Sequence, residues 1–329
     1  MNVFKFNPKN FSNQFAMNGF VHIKNGINPE FLQYAKETAD QLVEKDKQIK
    51  EWEIKGKKSQ YLMEFPESTD FPDELFDVVS IVSGFERNNI TLCERHIKIY
   101  EDVADNNPPP HKDRLASQVA VGIPLEVPKD SYLILYPEDH LTINPFNTTA
   151  LWRTSLDAEN LPENILRNIE PVKVYLQPGD VVMFRGSSIY HERVNPAYTK
   201  LLYLKFNAMK LDPLAEDPNT ILTREKSLSL LKQKSDQELL NIKVDVSPML
   251  EKISKHYTRL YWKEVKQAYV NGEKEITLSN DEFQIIKNCN GEGTIKKEIE
   301  YLGVPHNQLT SYVSIFRRLI KLGVLDLID

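Results

Sequence analysis

The sequence predicts a mainly β protein with flanking helices, built as an antiparallel barrel or double-sheet jelly roll and followed by a helical extension. Three observations predict it. Between Ile90 and Asn207, short apolar or alternating runs recur, separated by Pro, Gly, Asn and Asp. Before this stretch, and again after Pro213, apolar residues recur at helical spacing. His111, Asp113 and His191 each lie beside a strand-like run, and a closed antiparallel fold can bring such positions to one mouth.

A chain of 329 residues, 41% hydrophobic and 27% charged, can bury one large core with an appended unit. The expected division is 1–215 and 216–329. The formal charge of −6 gives no support to a general nucleic-acid or anionic-membrane role. Cys93 and Cys289 are far apart and follow no zinc-site spacing, so they are expected to be reduced thiols in a cytoplasmic protein. No apolar run approaches membrane-span length, and MNVFKFNPKN lacks a signal peptide's apolar core.

Along the chain, a helix end breaks at Gly19 and a short strand covers Phe20 to Ile23. Asn28-Pro29-Glu30 opens a helix, with Asn28 as cap, Pro29 in the first turn and Glu30 at the positive end of the dipole. Phe31, Ala35, Ala39 and Leu42 continue it at helical spacing. The charged run Glu44–Lys58 reads as a solvated helix or loop. Residues 72–86 form a further helix that buries Leu75, Phe76, Val78, Val79 and Val82.

The period then changes to two. Arg95–Tyr100 alternates as a strand, and the prolines of ADNNPPP force the chain out of the sheet just before His111. Residues 117–127 and 131–136 are strands joined by Pro128-Lys129-Asp130. A polar loop extends to about 170. Val172–Leu176 and Val181–Phe184 flank the turn Gln177-Pro178-Gly179-Asp180, and Thr199–Asn207 closes the series. In the extension, Ile221–Leu231 and Met249–Val270 read as long helices, the second with Tyr257, Leu260, Tyr261, Val265 and Tyr269 as packing residues. Glu275–Leu278 is a strand. Ser279, Thr294 and Gln308 start three helices, and Gly323 precedes a last strand, a pattern resembling a winged helix.

In an extended segment, positions i and i+2 point to one side, so His111 and Asp113 can aim an imidazole and a carboxylate at one metal. The third ligand must come from elsewhere in the fold, and His191 lies 78 residues after Asp113, just after a strand-like run. Two histidines and one carboxylate leave open positions, as in non-haem Fe(II) sites. Taken alone, a His-x-Asp pair is common, and His191 has the ordinary alternative of a surface histidine.

With those residues in place, the first 215 resemble the phytanoyl-CoA dioxygenase-like branch of the Fe(II)- and 2-oxoglutarate-dependent oxygenases. NGFVHIKNGINPEFLQYAKETADQL is similar to that family's entry strand and helix, and HKD to its His-x-Asp. The stretch from Pro124 through SYLILYPEDH is similar to the segment where the family has a Pro-Gly-Ser-His loop. QPGDVVMFRGSSIYHERVNP is similar to its distal-histidine block. The resemblance implies a double-stranded β-helix, a cupin-like jelly roll, with His111, Asp113 and His191 on Fe(II) and 2-oxoglutarate as cosubstrate.

It further implies a basic residue for the far carboxylate of 2-oxoglutarate. Lys200, nine residues after His191, stands at the corresponding place, where the family usually has Arg. Arg193 is the second choice, and Gln118 and Thr199 are weaker hydrogen-bonding candidates. Lysine gives a point charge without the bidentate fork. Because Asp113 is retained, the resemblance implies hydroxylation or desaturation over halogenation, with succinate and CO₂ as coproducts.

The expected substrate is a small metabolite such as an amino acid. One alternative is a peptide or protein residue presented by the extension, which is loosely similar to winged-helix modules of peptide-modifying enzymes and ribosomal-protein oxygenases. Another is a non-catalytic cupin-like ligand-binding regulator. The extension has a plainer reading, packing on the barrel or forming a homodimer. Acidic residues outnumber basic ones from Glu275 onward, which disfavours nucleic acid.

Overall fold

In the computed structural model, described over residues 1–49, 58–66, 73–102, 104, 109–139, 141–259, 262–271 and 274–328, the chain divides into two units, Met1–Met209 and Lys210–Asp329. Most of the charged run after Glu44, most of ADNNPPP and His140 lie outside the described residues.

The first unit begins with α1 (Ser12–Asn18), which stops at Gly19 with φ 71°, and β1 (Phe20–Ile23). Helix α2 (Pro29–Glu44) starts where the side chain of Asn28 accepts from the Glu30 amide, and it buries Phe31, Ala35 and Ala39. Next come β2 (Lys58–Leu62) and α3 (Asp73–Ser83), which buries the five apolar residues named above. The strands β3 (Thr91–Tyr100), β4 (Val119–Glu126) and β5 (Tyr132–Tyr136) follow.

The expected polar loop up to 170 instead contains α4 (Thr149–Thr154), capped by Thr148, and α5 (Pro162–Ile165), which begins on a proline. Their short length leaves too few turns for a helical period to emerge from the sequence. The unit ends with β6 (Val172–Val174), β7 (Val181–Phe184), β8 (Tyr190–Val194) and β9 (Lys200–Asn207).

These strands form two antiparallel sheets, a large one ordered β1-β7-β4-β9-β3-β2 and a small one ordered β6-β5-β8. An isolated antiparallel bridge between His111 and His191 adds a further pairing beside β8. From β3 onward the chain passes between the sheets in a jelly-roll sequence. It runs from β3 to the His111 bridge, back to β4, across to β5 and β6, back to β7, across to β8 and back to β9.

The large sheet is covered on both faces. Val119, Val121, Ile123, Leu202, Leu204 and Phe206 pack with α2 and α3, while Ala120, Val182, Phe184, Leu201 and Tyr203 pack with Leu133, Leu135 and Val174 of the small sheet. This is why β4 reads as an almost unbroken apolar run. At Gly122 a Cβ would lie 2.9 Å from Val182 and 3.0 Å from Tyr203, so glycine permits the close strand approach.

The second unit contains α6 (Pro218–Gln233), α7 (Asp236–Leu239), β10 (Lys243–Val246), β11 (Leu250–Thr258), β12 (Lys263–Val270), β13 (Lys274–Leu278), α8 (Asn280–Asn288), α9 (Ile295–Tyr301), α10 (Leu309–Leu322) and β14 (Leu325–Ile328). Strands β11, β12 and β13 form an antiparallel meander, and β10 pairs with β14. The helix expected over Met249–Val270 is thus two strands, with Tyr257 opposite Glu264 and Ile253 opposite Ala268. The run is rich in β-branched and aromatic residues, and strand pairing overrides the coincidental four-residue spacing of its tyrosines. Leu260 and Tyr261 lie outside the described residues.

Ser279 caps α8 through a reciprocal box with Glu282, and Gly323 closes α10 at φ 82°. Cys93 and Cys289 are buried and form no disulfide among the described residues. No described helix is long and apolar enough to cross a membrane. Replacing Ser279 by Ala is expected to lower the stability of the second unit by about 1 kcal/mol, read from denaturant unfolding.

Candidate metal centre

The centre is assembled by backbone pairing. The amide of His111 donates to the carbonyl of His191 (3.0 Å), and the amide of His191 donates to that of His111 (2.9 Å). A directly opposed antiparallel pair of this kind brings two side chains together, and the ring centroids lie 4.5 Å apart. Two residues on, the Asp113 amide donates to Gly186 O (2.8 Å), and the Asn144 side-chain amide donates to Asp113 O (2.9 Å). Lys112, between the two candidate ligands, is buried; its ammonium donates to Thr142 O and sits over the Tyr190 ring.

His111, Asp113 and His191 each offer a ligand atom within 4.8 Å of the others, a group that can hold a metal ion. Both imidazoles are oriented alike. Nδ1 of His111 lies 2.9 Å from Pro109 O, and Nδ1 of His191 lies 2.9 Å from Ile189 O. Carbonyl acceptors select the Nδ1–H tautomer, which leaves the Nε2 lone pair of each ring for a metal. Burial, followed by repulsion from His191, pushes His111 down to about 3, and burial also lowers His191. Both rings are therefore neutral at pH 7, as ligation requires.

The carboxylate is held ionised by a buried network. Lys205 Nζ lies 3.0 Å from Asp113 Oδ1 and 3.4 Å from Glu94 Oε2, while Arg114 pairs with Glu94 Oε1 at 2.9 Å. Burial alone would raise Asp113, but Lys205 and the two histidines bring it to about 2. Burial likewise opposes ionisation of Glu94, and Lys205 and Arg114 hold it well below the usual carboxylate range. The other oxygen, Asp113 Oδ2, faces His191 Nε2 at 3.8 Å. Two neutral imidazoles and an ionised carboxylate form a donor set suited to Fe(II) and similar divalent metals.

A cavity beside these residues is lined by Lys58, Lys98 and Tyr100 from β2 and β3, Tyr203 and Lys205 from β9, and Arg193 from β8. Arg193 is buried. Its Nη2 lies 3.4 Å from the Tyr203 hydroxyl, and its Nε and Nη1 have no hydrogen-bond partner among the described residues. Lys200 does not line this cavity; its ammonium pairs with Asp40 (2.9 Å) and Glu126 (3.1 Å). Gln118 accepts from the Ala208 amide, and buried Thr199 shares a 3.3 Å hydroxyl contact with Ser131. Neither lines the cavity.

The sequence reading missed Lys205, Lys98, Tyr100 and Glu94. Their signal was present in the alternation itself. Glu94, His96, Lys98 and Tyr100 occupy every second position of β3, alternating with Cys93, Arg95, Ile97 and Ile99, and Tyr203 and Lys205 do so on β9 inside an otherwise apolar run.

Two expectations follow. A Cβ at Gly186 would lie 2.8 Å from both Asp113 Oδ2 and Ser117 O, so Gly186→Ala must displace the carboxylate. Divalent-metal affinity is expected to fall roughly 10- to 100-fold in calorimetric titration, the range for disturbing a ligand's support. The second concerns acid stability without metal. The folded state holds His111 neutral down to about 3, whereas an unfolded histidine protonates near 6.5. The unfolded chain therefore binds the extra proton between these values, and the His111 contribution is lost as pH falls from about 6.5 towards 3. His111→Gln should flatten the loss of urea midpoint across that window.

No known family model matches the sequence, and no curated protein sequence does. Solved structures of similar shape include the non-haem α-ketoglutarate-dependent epimerase SnoN from nogalamycin biosynthesis, at 14% identity and TM-score 0.46, covering 60% of this chain and 82% of that one. EctD from S. alaskensis with bound Fe matches at 12% identity and TM-score 0.41, covering 60% and 75%. HygX from Streptomyces hygroscopicus, with nickel, 2-oxoglutarate and hygromycin B bound, matches at 13% identity and TM-score 0.41, covering 62% and 87%.

Proposed function

We propose that the first unit is an Fe(II)- and 2-oxoglutarate-dependent oxygenase that hydroxylates a C–H bond of a small metabolite. The observation that carries this reading is the pairing of two feature sets in one cavity. His111, Asp113 and His191 present a three-point metal site, and Arg193 presents a buried guanidinium with two unpartnered nitrogens. A buried cation without a partner is costly unless a ligand completes it.

In this reading His111, Asp113 and His191 hold Fe(II). Arg193, rather than Lys200, receives the far carboxylate of 2-oxoglutarate, because its Nε and Nη1 lack partners among the described residues while the Lys200 ammonium is engaged by Asp40 and Glu126. When bound, iron and cosubstrate supply the oxidising power for attack on the substrate, with succinate and CO₂ released. Lys205 keeps Asp113 ionised and oriented, and the apolar residues Leu133 and Phe184 limit water at the site. Retention of Asp113 supports hydroxylation over halogenation.

A second reading, in which the substrate is a residue on a peptide, is favoured by one feature of the second unit. Among the described residues, strand β13 pairs on one side only, with β12, and a cavity of about 680 Å³ runs between β13 and α10. Sheet edges of this kind accept an added strand. In that reading the winged-helix-like unit would recruit the peptide, and peptide-stimulated succinate release would separate the two substrate classes.

The test is oxygen-dependent conversion of 2-oxoglutarate to succinate with added Fe(II). Arg193→Met is expected to raise the 2-oxoglutarate concentration for half-maximal turnover about 10-fold or more, the equivalent of losing a charge-assisted hydrogen bond, while Lys200→Met changes it little. The reverse ranking would return the anchoring role to Lys200. Metal binding without any cosubstrate consumption would favour a cupin-like binding protein.

A further inference from the structure

The cavity wall carries more positive charge than its own carboxylates and the proposed cosubstrate neutralise. Glu94 and Asp113 are both engaged, since Lys205 bridges them and Arg114 takes the other oxygen of Glu94. The remaining oxygen of Asp113 faces His191, on the metal side. Lys58, Lys98 and Arg193 line the same cavity, and none of them makes an ion pair among the described residues.

Strand register makes the two lysines diagonal neighbours. Lys58 on β2 stands opposite Tyr100 on β3, and Lys98 lies two residues before Tyr100 on the same face. Their ammonium groups rest against rings instead of carboxylates, with Lys58 5.9 Å from the Tyr100 centroid and Lys98 5.0 Å from that of Tyr203. Burial, then repulsion from Lys205 and Lys58, pushes Lys98 down to about 7, as expected for an ammonium short of counter-charge.

2-Oxoglutarate brings two carboxylates. One belongs to the metal and the other to Arg193. Lys58 and Lys98 then remain, facing the same space as the metal ligands. We propose that the substrate is a small organic anion whose acidic group is held between Lys58 and Lys98, with its reacting carbon turned towards the metal. This rests on the oxygenase reading for the second half of the statement; the anion site itself requires no iron. Two adjacent ammonium groups on neighbouring strands suit a carboxylate, a sulfate or a phosphate, and each flanking tyrosine offers a hydroxyl that can donate.

Calorimetric titration of the full-length protein with sodium sulfate, at constant ionic strength, tests the site. It is run anaerobically on protein saturated with Fe(II) and 2-oxoglutarate and repeated on metal-free protein. The expected result is one saturable sulfate site in the loaded wild type, weakened about 10-fold or more by Lys98→Met and by Lys58→Gln and restored in Lys98→Arg. Lys98→Met keeps an apolar stem of similar length, and Lys58→Gln changes a residue less deeply placed, so loss of fold in one leaves the other informative. The 2-oxoglutarate affinity, titrated separately, should stay within about twofold, far less than a lost charge-assisted contact would change it. Sulfate binding undiminished in both variants would overturn the proposal. So would sulfate that displaces 2-oxoglutarate, together with variants that lose cosubstrate affinity, because the lysines would then serve the cosubstrate. If wild-type protein takes up no 2-oxoglutarate but binds sulfate through these lysines, the oxygenase reading fails and the anion site stands.

Discussion

The reciprocal backbone hydrogen bonds between His111 and His191 are the constraint on which the site depends. They join a short segment entering from β3 to the edge of the small sheet at β8, and they place two imidazoles next to each other, tilted by 46°, without a continuous strand. Once this pair is set, the extended backbone carries Asp113 to the same side, where Gly186 leaves room for its carboxylate. The Nδ1 contacts to Pro109 and Ile189 then leave both Nε2 atoms available. A candidate metal site thus follows from one strand pairing, one glycine and two local carbonyls.

The second organising feature is charge inside a jelly roll. Ionised groups resist transfer into a packed interior unless each is matched. Glu94, Arg114, Lys205 and Asp113 satisfy this as a chain of alternating sign, which keeps Asp113 anionic despite burial. Among the described residues Arg193 has no carboxylate partner, and neither do Lys58 and Lys98. A network that is complete on the ligand side of Asp113 and incomplete around the cavity separates what the fold needs from what a bound molecule is needed to supply.

Much of this was legible in the sequence, for identifiable reasons. Alternating or apolar runs between turn residues located β3 to β7 and β9, though not β8, whose Tyr-His-Glu-Arg-Val run is mostly polar, and the cap residues Asn28 and Ser279 marked real helix starts because their side chains act locally. The His-x-Asp pair and His191 were visible as residue types next to strands. The cavity cations were harder to recover. Lys200 had the favoured sequence spacing, yet it begins β9 and meets Asp40 from α2 and Glu126 from β4, long-range partners that spacing cannot reveal. Arg193 shares the side of His191 by the same i, i+2 rule that linked His111 to Asp113. The hairpin at β11 and β12 failed for a different reason, since its half-exposed faces blur the two-residue period.

The central claim, that one cavity holds a divalent metal and a 2-oxo acid together, is tested most directly by optical spectroscopy. Metal-free protein is titrated anaerobically with Fe(II) and then with 2-oxoglutarate, and the visible charge-transfer band of the chelate is followed. The account predicts a saturable band in the wild type that is absent in His191→Ala, whose fold is checked by circular dichroism. Metal uptake with no band, or a band undiminished in His191→Ala, would contradict it.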